Sequence, residues 1–96
     1  MPPSDPQRDP VVGNLRTRIT EADRAILTAL NERLELVREL REHKAASGWD
    51  FVDRGREAEL VDELVRGNQG PLSESGLREL FSYLLALTKR ETDASP

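Results

Sequence analysis

The sequence predicts an all-α protein with three helices, one long and two shorter. Apolar residues recur at intervals of three and four along most of the 96-residue chain, which is the spacing of one helix face. No stretch shows the two-residue alternation that is typical of a half-buried strand. Turn signals at Ser47-Gly48 and from Gly67 to Pro71 separate the periodic stretches and divide them into three helices.

The first helix is predicted to begin near Gly13 or Asn14 and to run to about Ser47, where Ser47 and Gly48 supply a stop signal. Residues 1–12 hold four prolines and little that could pack, so they are predicted to be a disordered lead-in. The apolar stripe of this helix consists of Leu15, Ile19, Ala22, Ile26, Ala29, Leu30, Val37 and Leu40.

The length of this helix predicts an oligomer. About 30 residues at about 1.5 Å each give a helix of about 45 to 50 Å. A compact monomer of this size has a radius of gyration of about 13 Å. The helix would therefore overhang its own globule with its apolar stripe exposed, and with 36% hydrophobic residues the chain has little else to cover it. We expect an intertwined homodimer.

Asp53 is the predicted N-cap of the second helix, because its carboxylate can accept from the free amides of Gly55 or Arg56. The third helix is predicted to open at Ser73, and its stripe continues to Thr88 and then to Glu91 or Thr92. The helical domain is thus assigned to residues 13–92, with a disordered tail over residues 93–96.

Composition excludes several classes of function. The chain has no cysteine and one histidine, His43, which argues against disulfides, thiolate catalysis and a metal site. The net charge is −4, and acidic residues alternate with basic ones along the first helix, unlike the clustered cations of a nucleic-acid-binding face. No apolar run approaches the length of a signal sequence or a membrane span. We expect a cytoplasmic protein that binds neither nucleic acid nor membrane.

Two cations interrupt the apolar stripe of the first helix. Arg33 lies between Leu30 and Val37, and Lys44 lies one turn beyond Leu40. A charge taken out of water costs several kcal/mol unless it is paired, so their position indicates a bound anion. The alternative is that both side chains extend past the edge of the core into solvent.

Helix geometry limits which charges can share one ligand. Arg33 and Lys44 fall within about 20° of one azimuth and about 16 Å apart along the axis, so a small dianion could lie between them. Arg16 lies about 25 Å from Arg33 along the axis and about 100° around it, which is too far for one metabolite. If Arg16 belongs to the site, it must come from the partner subunit.

A second group of charges begins the second helix. Asp53, Arg56 and Glu57 have the spacing that places side chains on one helix face. They could form a polar cluster opposite the cations, with Glu57 accepting a hydrogen bond from a substrate hydroxyl. The alternative is a local ion pair between Asp53 and Arg56, worth a few tenths of a kcal/mol when exposed.

These charges occur in a pattern that resembles the all-helical chorismate mutases. The pattern covers Leu15 to about Thr92. Its parts are Leu15-Arg16-x-x-Ile19, Asp23 with Ile26-Leu27, Leu30-x-x-Arg33, Lys44 and Val52-Asp53-x-x-Arg56-Glu57. The resemblance implies three helices per chain that intertwine as a homodimer, with active sites shared between the chains. It also implies rearrangement of chorismate to prephenate without cofactor or metal.

The resemblance implies a role for each charged residue. Arg33 and Arg16 of the partner subunit would clamp the two substrate carboxylates. Lys44 would donate to the ether oxygen as the C–O bond breaks. The implied catalytic residues are Lys44, Arg33, Glu57 and Thr92, and the implied substrate-binding residues are Arg16, Arg33, Lys44, Asp53, Arg56, Glu57, Thr88 and Thr92.

Within this set, Asp53 and Glu57 would take the ring hydroxyl region, and Arg56 would support a carboxylate. Thr88 stands where the family often has Ser. Thr92 stands where the family usually has Gln or Glu as the second donor to the ether oxygen, and a threonine hydroxyl reaches less far.

Three other functions can be weighed for the same residues. A mutase acting on 4-amino-4-deoxychorismate would use the same fold, because Glu57 could accept from an amine as readily as from a hydroxyl. A related lyase that removes pyruvate from isochorismate is a poorer match to Asp53 and Glu57. A helical dimerisation module without activity would use the charges for salt bridges between chains.

Overall fold

The computed structural model describes residues 5–93. Within this range there is no strand, and the prediction of an all-α chain with one long and two shorter helices is confirmed. Residues 1–4 of the predicted lead-in and residues 94–96 of the predicted tail lie outside the described residues. The elements are a 3-10 turn at Pro6–Arg8 and the helices α1 (Pro10–Ala46), α2 (Arg54–Gly67) and α3 (Glu74–Glu91).

Helix α1 begins at Pro10, before the predicted start at Gly13 or Asn14. Asp9 provides the start, because one carboxylate oxygen accepts from the amide of Val11 at 2.8 Å and from that of Val12 at 3.4 Å. Proline in the first turn is compatible with a helix, since its missing N–H has no partner there. Residues 10–12, which were assigned to a disordered lead-in from the sequence, thus form the first turn of α1 in the structure. The Asp-Pro pair at positions 9 and 10 is the local signal for this start.

The end of α1 follows the predicted stop signal. Gly48 has a φ of 73°, a left-handed conformation that favours glycine. The amide of Gly48 donates to the carbonyl of Ala45 at 3.1 Å, and that of Trp49 donates to the carbonyl of Lys44 at 2.9 Å. This pair of bonds satisfies the last carbonyls of the helix and reverses the chain direction.

The predicted caps of α2 and α3 are confirmed. The Asp53 carboxylate accepts from the amide of Arg56 at 3.0 Å, and the Ser73 hydroxyl accepts from the amide of Gly76 at 3.0 Å. Each bond satisfies one of the free amides at the start of a helix, which fixes where that helix begins.

The contacts within the chain divide it after Arg33 into two units. The first contains the 3-10 turn and α1 up to Arg33. The second contains α1 from Leu34 together with α2 and α3, which pack against each other. Among the described residues, buried apolar side chains are Val61 of α2 and Leu77 of α3. The core of the second unit is therefore small.

The apolar stripe of α1 is exposed in the single chain. None of the residues in α1 is buried. Leu15 is 47% exposed, Ile19 59%, Ile26 58% and Leu40 47%. Across residues 5–93, no helix combines the length and the apolar character needed to span a membrane.

Candidate active site

The predicted site residues lie on all three helices and differ widely in burial. Those on α1 are the cations Arg16, Arg33 and Lys44. The others flank the start of α2 and the end of α3. Thr88 and Thr92 are each 3% exposed; Arg33, Lys44 and Glu57 are half-buried; Arg16, Asp53 and Arg56 are exposed.

Lys44 lies in the last turn of α1, where the chain reversal brings Phe51 next to it. Its Nζ atom donates to the carbonyl of Phe51 at 3.2 Å and lies 6.0 Å from the centroid of the Phe51 ring. An ammonium group has three donor hydrogens, so this bond leaves donors for an anion. The half-buried ammonium is thus held against the segment that follows α1.

Glu57 forms an ion pair that ties α2 to α3. Its Oε1 atom lies 2.9 Å from the Nζ atom of Lys89, and the side chains of Glu57 and Lys89 are 27% and 36% exposed. Lys89 is not among the site residues predicted from the sequence. No local spacing relates residues so far apart in the chain, and the contact arises because α2 and α3 pack together.

The two buried threonines donate their hydroxyl protons to their own helix. Thr88 Oγ1 donates to the carbonyl of Leu84 at 2.7 Å, and Thr92 Oγ1 donates to the carbonyl of Thr88 at 2.6 Å. A hydroxyl has one donor hydrogen, so in this conformation the Thr92 oxygen can offer a ligand its lone pairs but not its proton.

At the start of α2, the side chains of Asp53 and Arg56 do not form the local ion pair that their spacing allows. Asp53 caps the helix, as described above, and the Arg56 guanidinium reaches Glu59, with 3.9 Å between Nη1 and Oε2. The Arg56 side chain is 60% exposed and that of Glu59 74%, so this pair contributes little stability. The Arg56 guanidinium is consequently only weakly held.

Arg16 belongs to the first unit, whereas Lys44, Glu57, Thr88 and Thr92 belong to the second. The Nη1 atom of Arg16 donates to the Oε1 atom of Gln7 at 2.6 Å. This exposed guanidinium thus has one neutral partner within its own unit. Arg33 is the last residue of that unit and is half-buried.

Arg41, near the end of α1, is half-buried and is not among the predicted site residues. The Arg41 guanidinium carbon lies 3.9 Å from the centroid of the Phe51 ring, a cation–π contact. Its Nε atom is buried without a hydrogen-bond partner among the described residues. A cavity of about 240 Å³ next to it is lined by Arg38, Arg41, Glu42, Ala45, Glu91, Thr92 and Asp93.

A second cavity, of about 450 Å³, lies between α2 and α3 and has Glu57 and Arg54 in its lining. Arg78, across this groove, donates to Asp62 at 3.1 Å and to Glu74 at 3.5 Å. The hydrogen bond to Asp62 is the main cause of a raised pKa at Arg78. The charge of Arg78 is thus engaged by carboxylates other than Glu57.

The comparison with protein families gives one result. The sequence profile described as Chorismate mutase type II matches residues 15–92 of the 96. A comparison with curated proteins gave no match. Because the matched segment contains most of the chain, including every candidate site residue, this chain belongs to the chorismate mutase type II family.

Proposed function

We propose that this protein is an isomerase that converts chorismate to prephenate. The observation that carries the proposal is the family match over residues 15–92, which contains two half-buried cations, Arg33 and Lys44, on a helix face that is otherwise apolar. A dicarboxylate substrate is complementary to these two cations, because each carboxylate can accept charge-assisted hydrogen bonds from a guanidinium or an ammonium group.

In this reaction a C–C bond forms while the ether C–O bond breaks, and no proton or electron is transferred to the protein. The barrier can therefore be lowered by holding the reactive conformer and by stabilising the charge that develops on the ether oxygen. Arg33, with Arg16 of the partner subunit, is proposed to clamp the two carboxylates and so restrict the conformations of the substrate.

Lys44 is proposed to be the main donor to the ether oxygen. Its interaction strengthens as negative charge builds up on that oxygen, so it favours the transition state over the bound substrate. The bond from Nζ to the Phe51 carbonyl supports this role, because it orients the ammonium and uses one of its three donors.

Thr92 is proposed as a second and weaker donor. Its hydroxyl proton now bonds the Thr88 carbonyl at 2.6 Å, so donation to the substrate requires the hydroxyl to rotate and give up that bond. Thr88, also buried, is proposed to line the same end of the site, where its oxygen can accept.

Residues at the start of α2 are proposed to bind the ring. Glu57 would accept from the ring hydroxyl with Asp53 beside it, and Arg56 would approach a carboxylate. The weak pairing of Arg56 with Glu59 at 3.9 Å is compatible with such a role, since little has to be broken before substrate binds.

A homodimer is part of the proposal. Burying a Leu or Ile side chain stabilises a protein by about 1.5 to 3 kcal/mol. Leu15, Ile19, Ile26 and Leu40 are each about half exposed in the single chain, so an apolar partner surface would gain several kcal/mol. A second copy supplies such a surface and would also supply Arg16. The domain bounds 13–92 and a cytoplasmic location remain predictions from the sequence.

The test is loss of chorismate absorbance with purified protein, comparing wild type with Arg33→Ala. We expect the variant to keep its circular dichroism and oligomeric state and to lose at least about 10²-fold in kcat/KM, because the clamp positions the reacting atoms. Arg66→Ala, which removes an exposed cation from the last turn of α2, is the control and should retain activity.

The same assay separates the alternatives. A much higher kcat/KM on 4-amino-4-deoxychorismate would replace the proposed substrate. No turnover of either compound by the wild type would favour a dimerisation module.

A further inference from the structure

We infer that Lys89 is a positioning residue that sets the substrate preference of the site through Glu57, favouring a neutral hydroxyl over a charged amine on the ring. The inference rests on the proposed function, because it assumes that Glu57 faces the ring substituent. It concerns a residue that the sequence pattern did not single out.

The contact that carries the inference is the ion pair at 2.9 Å between Lys89 Nζ and Glu57 Oε1. The distance is that of a charge-assisted hydrogen bond. Lys89 thereby occupies one oxygen of the carboxylate and leaves Oε2 for a ligand. A carboxylate held by one oxygen presents the other in a defined direction, which favours a directional bond from a hydroxyl.

Other cations near Glu57 are engaged elsewhere. Arg56, its neighbour on α2, reaches Glu59, and Arg78, which lines the same groove as Glu57, donates to Asp62 and Glu74. Arg54 also lines this groove. Among the described residues, however, Lys89 is the cation that forms an ion pair with Glu57, and it thereby offsets the charge of that carboxylate. At 27% and 36% exposure, the two side chains are shielded enough for the pairing to alter the local field.

The consequence for substrate preference is electrostatic. An aliphatic amine on the ring is protonated at neutral pH and carries a positive charge, whereas a hydroxyl is neutral. Beside an unpaired Glu57 the ammonium would be attracted. Beside the neutral Glu57–Lys89 pair the ammonium loses most of that attraction and is repelled by the positive charge of Lys89. The hydroxyl still obtains its hydrogen bond from Oε2.

The experiment measures KM and kcat for chorismate and for 4-amino-4-deoxychorismate with wild type, Lys89→Met and Lys89→Arg. If the amino compound is not turned over, its inhibition constant against chorismate replaces KM. We expect Lys89→Met to raise the KM for chorismate and to lower the KM, or the inhibition constant, for the amino compound. The ratio of the two constants should shift by about tenfold, because the substitution removes one partly screened charge near the ring. Lys89→Arg should stay near wild type.

Opposite shifts for the two compounds distinguish positioning from structural damage, which would weaken the binding of both. Arg90→Met is the matched control, since it removes the same charge from the exposed neighbouring position on α3 and should leave the ratio within about twofold. If Lys89→Met does not fold, Lys89→Gln takes its place.

The experiment distinguishes failure of the inference about Lys89 from failure of the proposed function. Turnover of chorismate combined with equal shifts for both compounds, or with no shift, overturns the inference and leaves the proposed function standing. Absence of turnover of both compounds by the wild type overturns the proposed function and the inference with it.

Discussion

Replacing Thr92 with valine tests how much its hydroxyl contributes to catalysis. Valine keeps the branched shape at this position, which is 3% exposed, and removes the hydroxyl. The lost bond to the Thr88 carbonyl, 2.6 Å long, is worth about 0.5 to 1.5 kcal/mol. The Thr88 carbonyl keeps its bond from the Thr92 amide at 2.9 Å, so no buried acceptor is left unsatisfied.

We therefore expect Thr92→Val to lower the free energy of unfolding by about 0.5 to 1.5 kcal/mol. Urea denaturation at one fixed protein concentration measures this, because the stability of an oligomer depends on concentration. Thr88→Val is the matched control, since its hydroxyl bonds the Leu84 carbonyl in the same manner at 2.7 Å.

For activity, we expect kcat on chorismate to fall by less than about tenfold, whereas losing a fully engaged transition-state donor typically costs about 10²- to 10³-fold. The reason is that the Thr92 proton points into its own helix. A fall of 10²-fold with unchanged stability would refute this reasoning, because it would mean that the hydroxyl turns and donates fully to the substrate.

Three further predictions follow from the same geometry. Mixing inactive Arg16→Ala and Arg33→Ala chains should restore part of the activity through one intact hybrid site; no recovery despite demonstrated subunit exchange would argue against shared sites. Asp53→Ala should destabilise the protein by about 0.5 to 2 kcal/mol through loss of the helix cap, whereas Asp53→Asn should keep the cap and still lose activity; equal destabilisation in urea titrations would contradict the capping role. Ile26→Asp should weaken the proposed dimer, as measured by sedimentation velocity, because it places a charge on the apolar stripe that the partner would bury. Thr28→Asp adds the same charge at an exposed polar position and should leave the dimer unchanged.

The helices themselves could be predicted because their signals are local. Asp53 and Ser73 each lie three residues before the amide that they cap, and Gly48 supplies the left-handed residue after α1. The predicted start of α1 lies three or four residues too late, although its signal is equally local: Asp9 caps the helix and Pro10 fits the first turn. The high proline content of residues 1–12 favours disorder and so obscures this signal.

The sequence pattern names candidate site residues but not the contacts that they make. The family pattern identified Lys44 and Glu57, and both are half-buried. Their immediate partners could not be predicted, because Phe51 reaches Lys44 through the turn after α1 and Lys89 reaches Glu57 across the packing of α2 and α3. The direction of the Thr92 proton likewise depends on a carbonyl one helical turn away.

By itself, the sequence determined the helical class, the ends of α2 and α3, and the family, because periodicity, caps and motif spacing act within a few residues of each other. The tertiary structure decided which charges are paired. An ion pair such as Glu57–Lys89 depends on how two helices pack, and neither residue carries a local mark of it. That pairing changes the electrostatic field at the proposed ring-binding end of the site.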